Sequence, residues 1–282
     1  MILVTGATGK VGRQAVAQLH SAGAQVRALA RDPRTAGLPA GVEVVRGDLT
    51  DIASVEAALR GVDAVFLVWP LTSADAAPPV IDAVARHARR VVYLSAAGVT
   101  EDDSVEPEPG IPGMHTTIER AIRASGVEWT LLRAGGFASN TLGWAAQVRA
   151  GDVVRASHAK AGRSLVHEAD LAAVAVRALT TGELAGAAPH LTGPQTLTQD
   201  EQVRTIGEVL GRELRFEEMP DAEAVAALEA QGLPPHYARG IVEAHGQMVV
   251  EPEPVSPAAA EILGRPGRTY REWVADHVGD FS

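Results

Sequence analysis

The stretch Ile2-Leu3-Val4-Thr5-Gly6-Ala7-Thr8-Gly9-Lys10-Val11-Gly12 decides how the chain is read. Ile2–Thr5 is aliphatic and β-branched, which predicts a short buried strand. Three glycines follow at once, and a run with helical apolar spacing opens at Val11. Gly6 permits a tight turn. Gly9 lets the backbone approach an anion with no Cβ in the way, and Gly12 lets the helix pack closely on the strand. The helix start offers free N–H groups and the positive end of its dipole. Gly6, Thr8, Gly9, Lys10, Val11 and Gly12 therefore form a candidate pyrophosphate cradle. A glycine turn without a ligand is the plain alternative. The strand before it and the helix after it supply the context that a dinucleotide fingerprint requires.

Outward from this turn, short apolar runs alternate with helical patterns. Strands are expected at Ile2–Thr5, Gln25–Ala30, Val42–Arg46, Ala64–Val68, Val91–Ser95 and Trp129–Arg133. Helices are expected at Val11–Ala22, Ile52–Leu59, Val80–His87 and Met114–Ala124, with Asp51 as the N-cap of the second. This alternation implies an α/β fold, a parallel sheet with helices on both faces. Glu101–Gly113 is acidic and rich in Pro and Gly, and reads as a long surface loop. The rhythm breaks near Gly151. Beyond it the pattern predicts helices at Val166–Leu179, Leu197–Leu210, Asp221–Gln231, Tyr237–Ala244 and Thr269–His277, and strands at His190–Thr192 and Leu214–Glu217. The expected organisation is a dinucleotide-binding domain over residues 1–150. A smaller mixed region on the substrate side, residues 151–282, would interleave with that core.

Composition sets outer limits. The 282 residues carry a net charge of −10, which argues against a nucleic-acid surface. Cysteine is absent, so disulfides, thiolate metal sites and a cysteine nucleophile are excluded. The histidines show no metal-ligand spacing, and no metal is expected. No leader peptide and no apolar run of transmembrane length is read, so the expectation is a cytoplasmic monomer or homodimer with a small-molecule substrate and no membrane or nucleic-acid partner.

Several stretches carry a family resemblance: VTGATGKVGR, VRALARDP, GDLTD, SGVEWTLLRAGGFASN, HEADLAAVAV and LTGPQTLTQDEQV. Together they resemble the NmrA-like, atypical branch of the short-chain dehydrogenase/reductase superfamily. Within it they are similar to NADPH-dependent quinone reductases and triphenylmethane dye reductases. The resemblance covers most of the chain and implies a Rossmann-type fold.

Arg31 and Asp32 follow the second strand, where the adenosine ribose should lie. A carboxylate there favours the 2′-hydroxyl of NAD(H), whereas a guanidinium favours the 2′-phosphate of NADP(H). The resemblance assigns the role to Arg31, hence NADP(H), with NAD(H) as the alternative. It also places Asp48 and Leu49 beside the adenine. Val68, Trp69 and Ser95 end the fourth and fifth strands and should line the crevice outside their carboxyl ends.

Classical members of the superfamily use a Tyr and a Lys four residues later. The tyrosines here are Tyr93, Tyr237 and Tyr270, and the residues four further on are Ala97, Ile241 and Val274. No such pair exists. Where it should lie the chain has Ile111 and His115. The resemblance makes His115 the catalytic candidate, as general acid or as a holder of the ribose, with Glu119 one turn on to orient its ring. Ala134 and Gly135 should flank the nicotinamide, and Trp69, Phe137 and Asn140 the substrate. The leading expectation is NADPH-dependent hydride transfer to a small apolar or aromatic carbonyl, quinone or conjugated acceptor. A cofactor-sensing regulator, or an isomerase or epimerase that retains the cofactor, are the other classes.

Overall fold

The computed structural model describes residues 1–107 and 109–282; Glu108, within the acidic loop, lies outside the described residues. The first half runs β1 (Ile2–Val4), α1 (Lys10–Ser21), β2 (Val26–Ala30), β3 (Glu43–Arg46), α2 (Ile52–Leu59), β4 (Ala64–Val68), α3 (Ala77–His87), β5 (Arg90–Ala96), α4 (Ile111–Ala124) and β6 (Glu128–Ala134). The second half runs α5 (Ala145–Ala150), β7 (Val153–Ala156), β8 (Gly162–Arg163), α6 (Glu168–Thr181), β9 (His190–Leu191), β10 (Leu197–Thr198), α7 (Gln199–Leu210) and β11 (Arg215–Glu218). It closes with α8 (Asp221–Ala230), α9 (Pro235–Val250), α10 (Ala258–Leu263), α11 (Tyr270–Asp276) and α12 (Val278–Phe281). No helix is long and apolar enough to cross a membrane among the described residues.

The chain divides into two compact units: Met1–Ala134 with Glu168–His190, and Gly135–His167 with Leu191–Ser282. It leaves the first unit after β6, returns to it for α6, and leaves again at β9.

A seven-stranded sheet in the order β3-β2-β1-β4-β5-β6-β9 forms the frame. The paired strands from β3 to β6 are all parallel. Parallel strands sandwiched by helices must be apolar on both faces. Val4, Val65, Phe66, Leu67, Val92 and Tyr93 accordingly have no solvent exposure. The order reverses between β1 and β4, and a crevice opens at the carboxyl ends of strands at such a switch point. Thr5 ties this point together: its Oγ1 donates to the Val68 carbonyl at 2.8 Å and accepts from the Val68 N–H at 2.8 Å.

The local signals explain most boundaries. Asp51 caps α2, accepting from the N–H groups of Ala53 and Ser54. Helix α4 starts at Ile111, not at Met114, because Pro112 sits in its first turn, where a missing N–H is harmless. The acidic loop is shorter than expected for the same reason. The expected helix over Leu197–Leu210 splits: Leu197–Thr198 pairs with β8, and Thr198 then caps α7 in a reciprocal box with Glu201. Helix α9 starts two residues before Tyr237 and runs six residues beyond Ala244.

The second unit has its own core around Trp273, Phe281, Tyr270, Val203 and Ile206. Its short elements α5, β7, β8, α10 and α12 have six residues or fewer, too few to display a period.

Candidate active site

The turn after β1 has the shape its glycines require. Gly6 adopts φ +55°, and a Cβ there would press against the Val68 side chain. The Gly9 N–H returns to the Gly6 carbonyl at 2.9 Å. A Cβ on Gly12 would run into the Gly6 carbonyl, a backbone atom that cannot turn aside. Val11 and Gly12 are buried, whereas Thr8, Gly9 and Lys10 are exposed at the head of α1. Helix α1 has no side-chain cap and no acidic residue in its first turn. Its first N–H groups and dipole are therefore available to a diphosphate.

The ribose end separates Arg31 from Asp32. The Asp32 carboxylate accepts from the Arg34 backbone N–H at 3.1 Å, and from its Nε and a terminal nitrogen at 3.0 Å each. That carboxylate is held below its usual range, chiefly by the Arg34 side chain. Asp32 is thus spent on the turn Pro33–Thr35, which it caps. Arg31 is exposed and makes no hydrogen bond or ion pair among the described residues. Asp48 is half-buried. Its Oδ1 accepts from Thr50 N at 2.9 Å and Thr50 Oγ1 at 2.8 Å, and these bonds lower its pKa. Leu49 beside it is buried.

Beyond β4 and β5 the side chains are more committed than the sequence suggested. Trp69 packs in the first unit's core, and its Nε1 donates to the Ser73 carbonyl at 2.9 Å. Ser95 is buried and donates its hydroxyl to Glu119 Oε1 at 2.6 Å. Arg133, at the end of β6, grips the same carboxylate at 2.7 and 3.1 Å and reaches Glu101 at 2.6 Å. Arg123 adds a contact at 3.3 Å. Glu119 is 1% exposed, so this is a buried carboxylate with two guanidinium partners and one hydroxyl.

Glu119 therefore does not orient His115. Tyr93 does: its hydroxyl lies 2.5 Å from His115 Nδ1, and both side chains are buried. Burial drives the His115 pKa down to about 4, although the Glu119 charge partly opposes that. Burial likewise raises the Tyr93 pKa well above its ordinary value. At neutral pH the pair is a phenol and a neutral imidazole. That corrects the picture of an imidazole titrating near neutrality. In the sequence Tyr93 stands out only as a tyrosine with no lysine four residues on. Its partner lies 22 residues away on a different element.

Ala134 ends β6 and is buried, with its carbonyl accepting from Ala97 N at 2.7 Å. In the second unit, Gly136 N donates to Glu253 Oε1 at 3.2 Å and Ser164 N to its Oε2 at 3.0 Å. A side chain on Gly135 would collide with that carboxylate, and one on Gly136 with the Arg163 guanidinium. Nothing in the sequence singled out Glu253, which approaches from far along the chain. Phe137 bridges to Val166, and the Asn140 N–H closes a short 3-10 turn on the Phe137 carbonyl. Trp144 stacks edge-on against Phe216 and is a packing residue. Helix α6, expected over Val166–Leu179, opens at Glu168, with Glu168 and Asp170 in its first turn.

Comparisons with known proteins agree with this fold. A family model described as NAD(P)H-binding matches residues 6–182. The (4-alkanoyl-5-oxo-2,5-dihydrofuran-3-yl)methyl phosphate reductase of Streptomyces griseus is 43% identical, over 100% of this chain and 99% of its own length. The NAD(P)H azoreductase of Xenophilus azovorans is 31% identical, over 100% and 99%. The crystal structure of an NADPH-dependent quinone oxidoreductase from Escherichia coli superposes with a TM-score of 0.79 at 25% identity, covering 99% of this chain and 100% of that one. The chain belongs to the NAD(P)H-binding family, in the NmrA-like, atypical branch of the short-chain dehydrogenases/reductases, and is an NAD(P)H-dependent oxidoreductase.

Proposed function

We propose that the chain reduces a carbon–carbon double bond conjugated with carbonyl groups, using NADPH, and that an acyl-butenolide carrying a phosphomethyl arm is its class of substrate. The full-length likeness to the Streptomyces griseus reductase carries this reading. In the compound that relative is named for, one carbon of the ring alkene carries both the lactone carbonyl and the alkanoyl group. The carbon bearing the phosphomethyl arm is then the electrophilic one.

Bound NADPH supplies the hydride. The electron pair of the alkene moves onto the neighbouring carbon and spreads over the two carbonyl oxygens. No strong protein acid is needed at that moment, because the charge is already delocalised. The absence of a Tyr–Lys pair then costs little. The protein's work is to orient the partners and to meet the developing charge with a hydrogen bond. His115 suits that task as a neutral imidazole that polarises an oxygen without carrying charge, a role known for enzyme histidines. Water delivers the final proton to the carbon between the carbonyls. Arg31 takes the 2′-phosphate; Gly6–Gly12 takes the diphosphate. Ala134, at the end of β6, would flank the nicotinamide.

The test is a panel of acceptors under NADPH oxidation: a phosphomethyl acyl-butenolide, its free alcohol, a quinone and an azo dye. The butenolide should be preferred by about a hundredfold in kcat/KM, a difference of roughly 2.7 kcal/mol in transition-state binding. C4-deuterated NADPH should place deuterium on the carbon bearing the arm. Turnover of the quinone alone would reassign the acceptor. Tight NADPH binding without turnover of any acceptor would favour a cofactor sensor.

A further inference from the structure

The hydrogen bond between Tyr93 and His115 contains more information than its length. We infer that Tyr93 is a positioning residue: it locks His115 into the tautomer with the proton on Nε2 and so keeps His115 a permanent hydrogen-bond donor. The inference rests on the reading above, in which His115 faces the acceptor.

The number of protons the pair holds fixes the tautomer. A tyrosine hydroxyl holds one proton, and a neutral imidazole holds one. If Nδ1 carried the imidazole proton, it would donate to the phenol oxygen. The phenol proton would then need an acceptor of its own. Tyr93 is fully buried, and His115 Nδ1 is its only hydrogen-bond partner among the described residues. The buried O–H would be left unpaired, which interiors avoid. If instead the phenol donates to Nδ1, both groups are satisfied and the imidazole proton must sit on Nε2. A hydrogen bond to one ring nitrogen commonly sets the state of the other in this way.

The surroundings oppose the two escapes. Protonating His115 would place a second donor against the phenol proton. Glu119, one turn along α4, would welcome such a charge, but Arg133 from β6 and Arg123 from α4 already occupy its carboxylate. Ionising Tyr93 would bury a phenolate that Glu119 repels. A relay in which Tyr93 replaces a proton lost by His115 would need that phenolate, and is therefore excluded. His115 acts as a fixed donor to an oxygen, and the proton on carbon comes from water.

Two measurements test this. Nitrogen-15 NMR of histidine-labelled protein, with the His115 signals assigned by their loss in His115→Gln, should show an unprotonated Nδ1 and a protonated Nε2. The state should hold across the neutral pH range. A proton on Nδ1, or an imidazolium, overturns the inference, and this readout needs no variant at Tyr93 to fold. In Tyr93→Phe the Nδ1 acceptor loses its donor, and the tautomers should mix. kcat should then fall about tenfold, less than on removing an oxyanion donor outright, with the Kd for NADPH within about twofold. An unchanged tautomer in Tyr93→Phe would also sink the inference. Mixed tautomers with unchanged kcat would leave the pairing intact and remove its catalytic purpose. That result points to a different failure, the placement of His115 at the acceptor.

Discussion

The Gly6–Gly12 turn and the Ser95–Glu119–Arg133 cluster belong to the same unit, yet they are built by opposite means. The turn is made of backbone. Its residues are chosen for what they lack, and their spacing along the chain is the whole device. The cluster is made of side chains from α4, β5 and β6 that meet only after folding. A backbone device tolerates no added atom; a side-chain device tolerates no missing partner. The two regions should therefore break differently.

The largest effect is expected at Gly12. Its Cβ position overlaps the Gly6 carbonyl, so Gly12→Val must either open the turn or push α1 off the sheet. NADPH affinity should drop by more than about a hundredfold, some 2.7 kcal/mol. Gly9→Ala should be milder, because its Cβ would sit 3.2 Å from the Gly6 oxygen. Calorimetric titration of both variants checks the ranking. Equal affinities would mean that the turn is not the cradle. At the cluster, removing the partner is what hurts. Glu119→Ala leaves Ser95 without its acceptor and Arg133 with Glu101 alone, and such unpairing typically costs about 1–3 kcal/mol of stability. Denaturant unfolding should show that loss. The variant protein that remains folded should still bind NADPH normally.

The same contrast explains what could be read in advance. The turn, the parallel sheet and helix α2 with its Asp51 cap were legible because each is written in adjacent residues. The Asp32–Arg34 clasp was not read, although its residues are only two apart. Both Arg31 and Asp32 fitted a ribose, and only the geometry shows which one is spent. Tyr93 and Glu253 were illegible for another reason. Their partners are 22 and more than 80 residues away, and no spacing rule brings them together. The second unit suffered most, because elements of two to six residues show no period and owe their existence to the packing around Trp273.

Acid offers a way to compare the two units. His115 in the first is depressed to about 4, and His245 in the second to about 3, both chiefly by burial. Arg163, 2.8 Å from the His245 ring, adds to the second shift. An unfolded histidine titrates near 6.5. Between that value and the folded one, the unfolded chain binds more protons, so stability is full above 6.5 and falls as pH drops. Each histidine should withdraw up to about 3 kcal/mol on the way to pH 4. His115→Gln and His245→Gln should each flatten the decline of stability between pH 6.5 and 4. A slope unchanged in both would show that neither ring is held neutral.

The smallest effect expected is also the most selective. Arg31 is exposed and makes no hydrogen bond or ion pair among the described residues, while Asp32 is tied to Arg34 by three hydrogen bonds. A free guanidinium can take a 2′-phosphate through charge-assisted bonds, each worth about 1.5–3 kcal/mol where well formed. Exposure to salt water weakens this, so Arg31→Ala should raise the Kd for NADPH by roughly tenfold, about 1.4 kcal/mol, at low ionic strength. NADH affinity should stay within twofold. The complementary change, Asp32→Ala, should leave NADH affinity nearly unaltered, because that carboxylate already serves the turn at Pro33–Thr35. If Asp32→Ala instead weakened NADH more than Arg31→Ala weakened NADPH, the carboxylate would be the ribose ligand. The clasp with Arg34 would then have to open on binding.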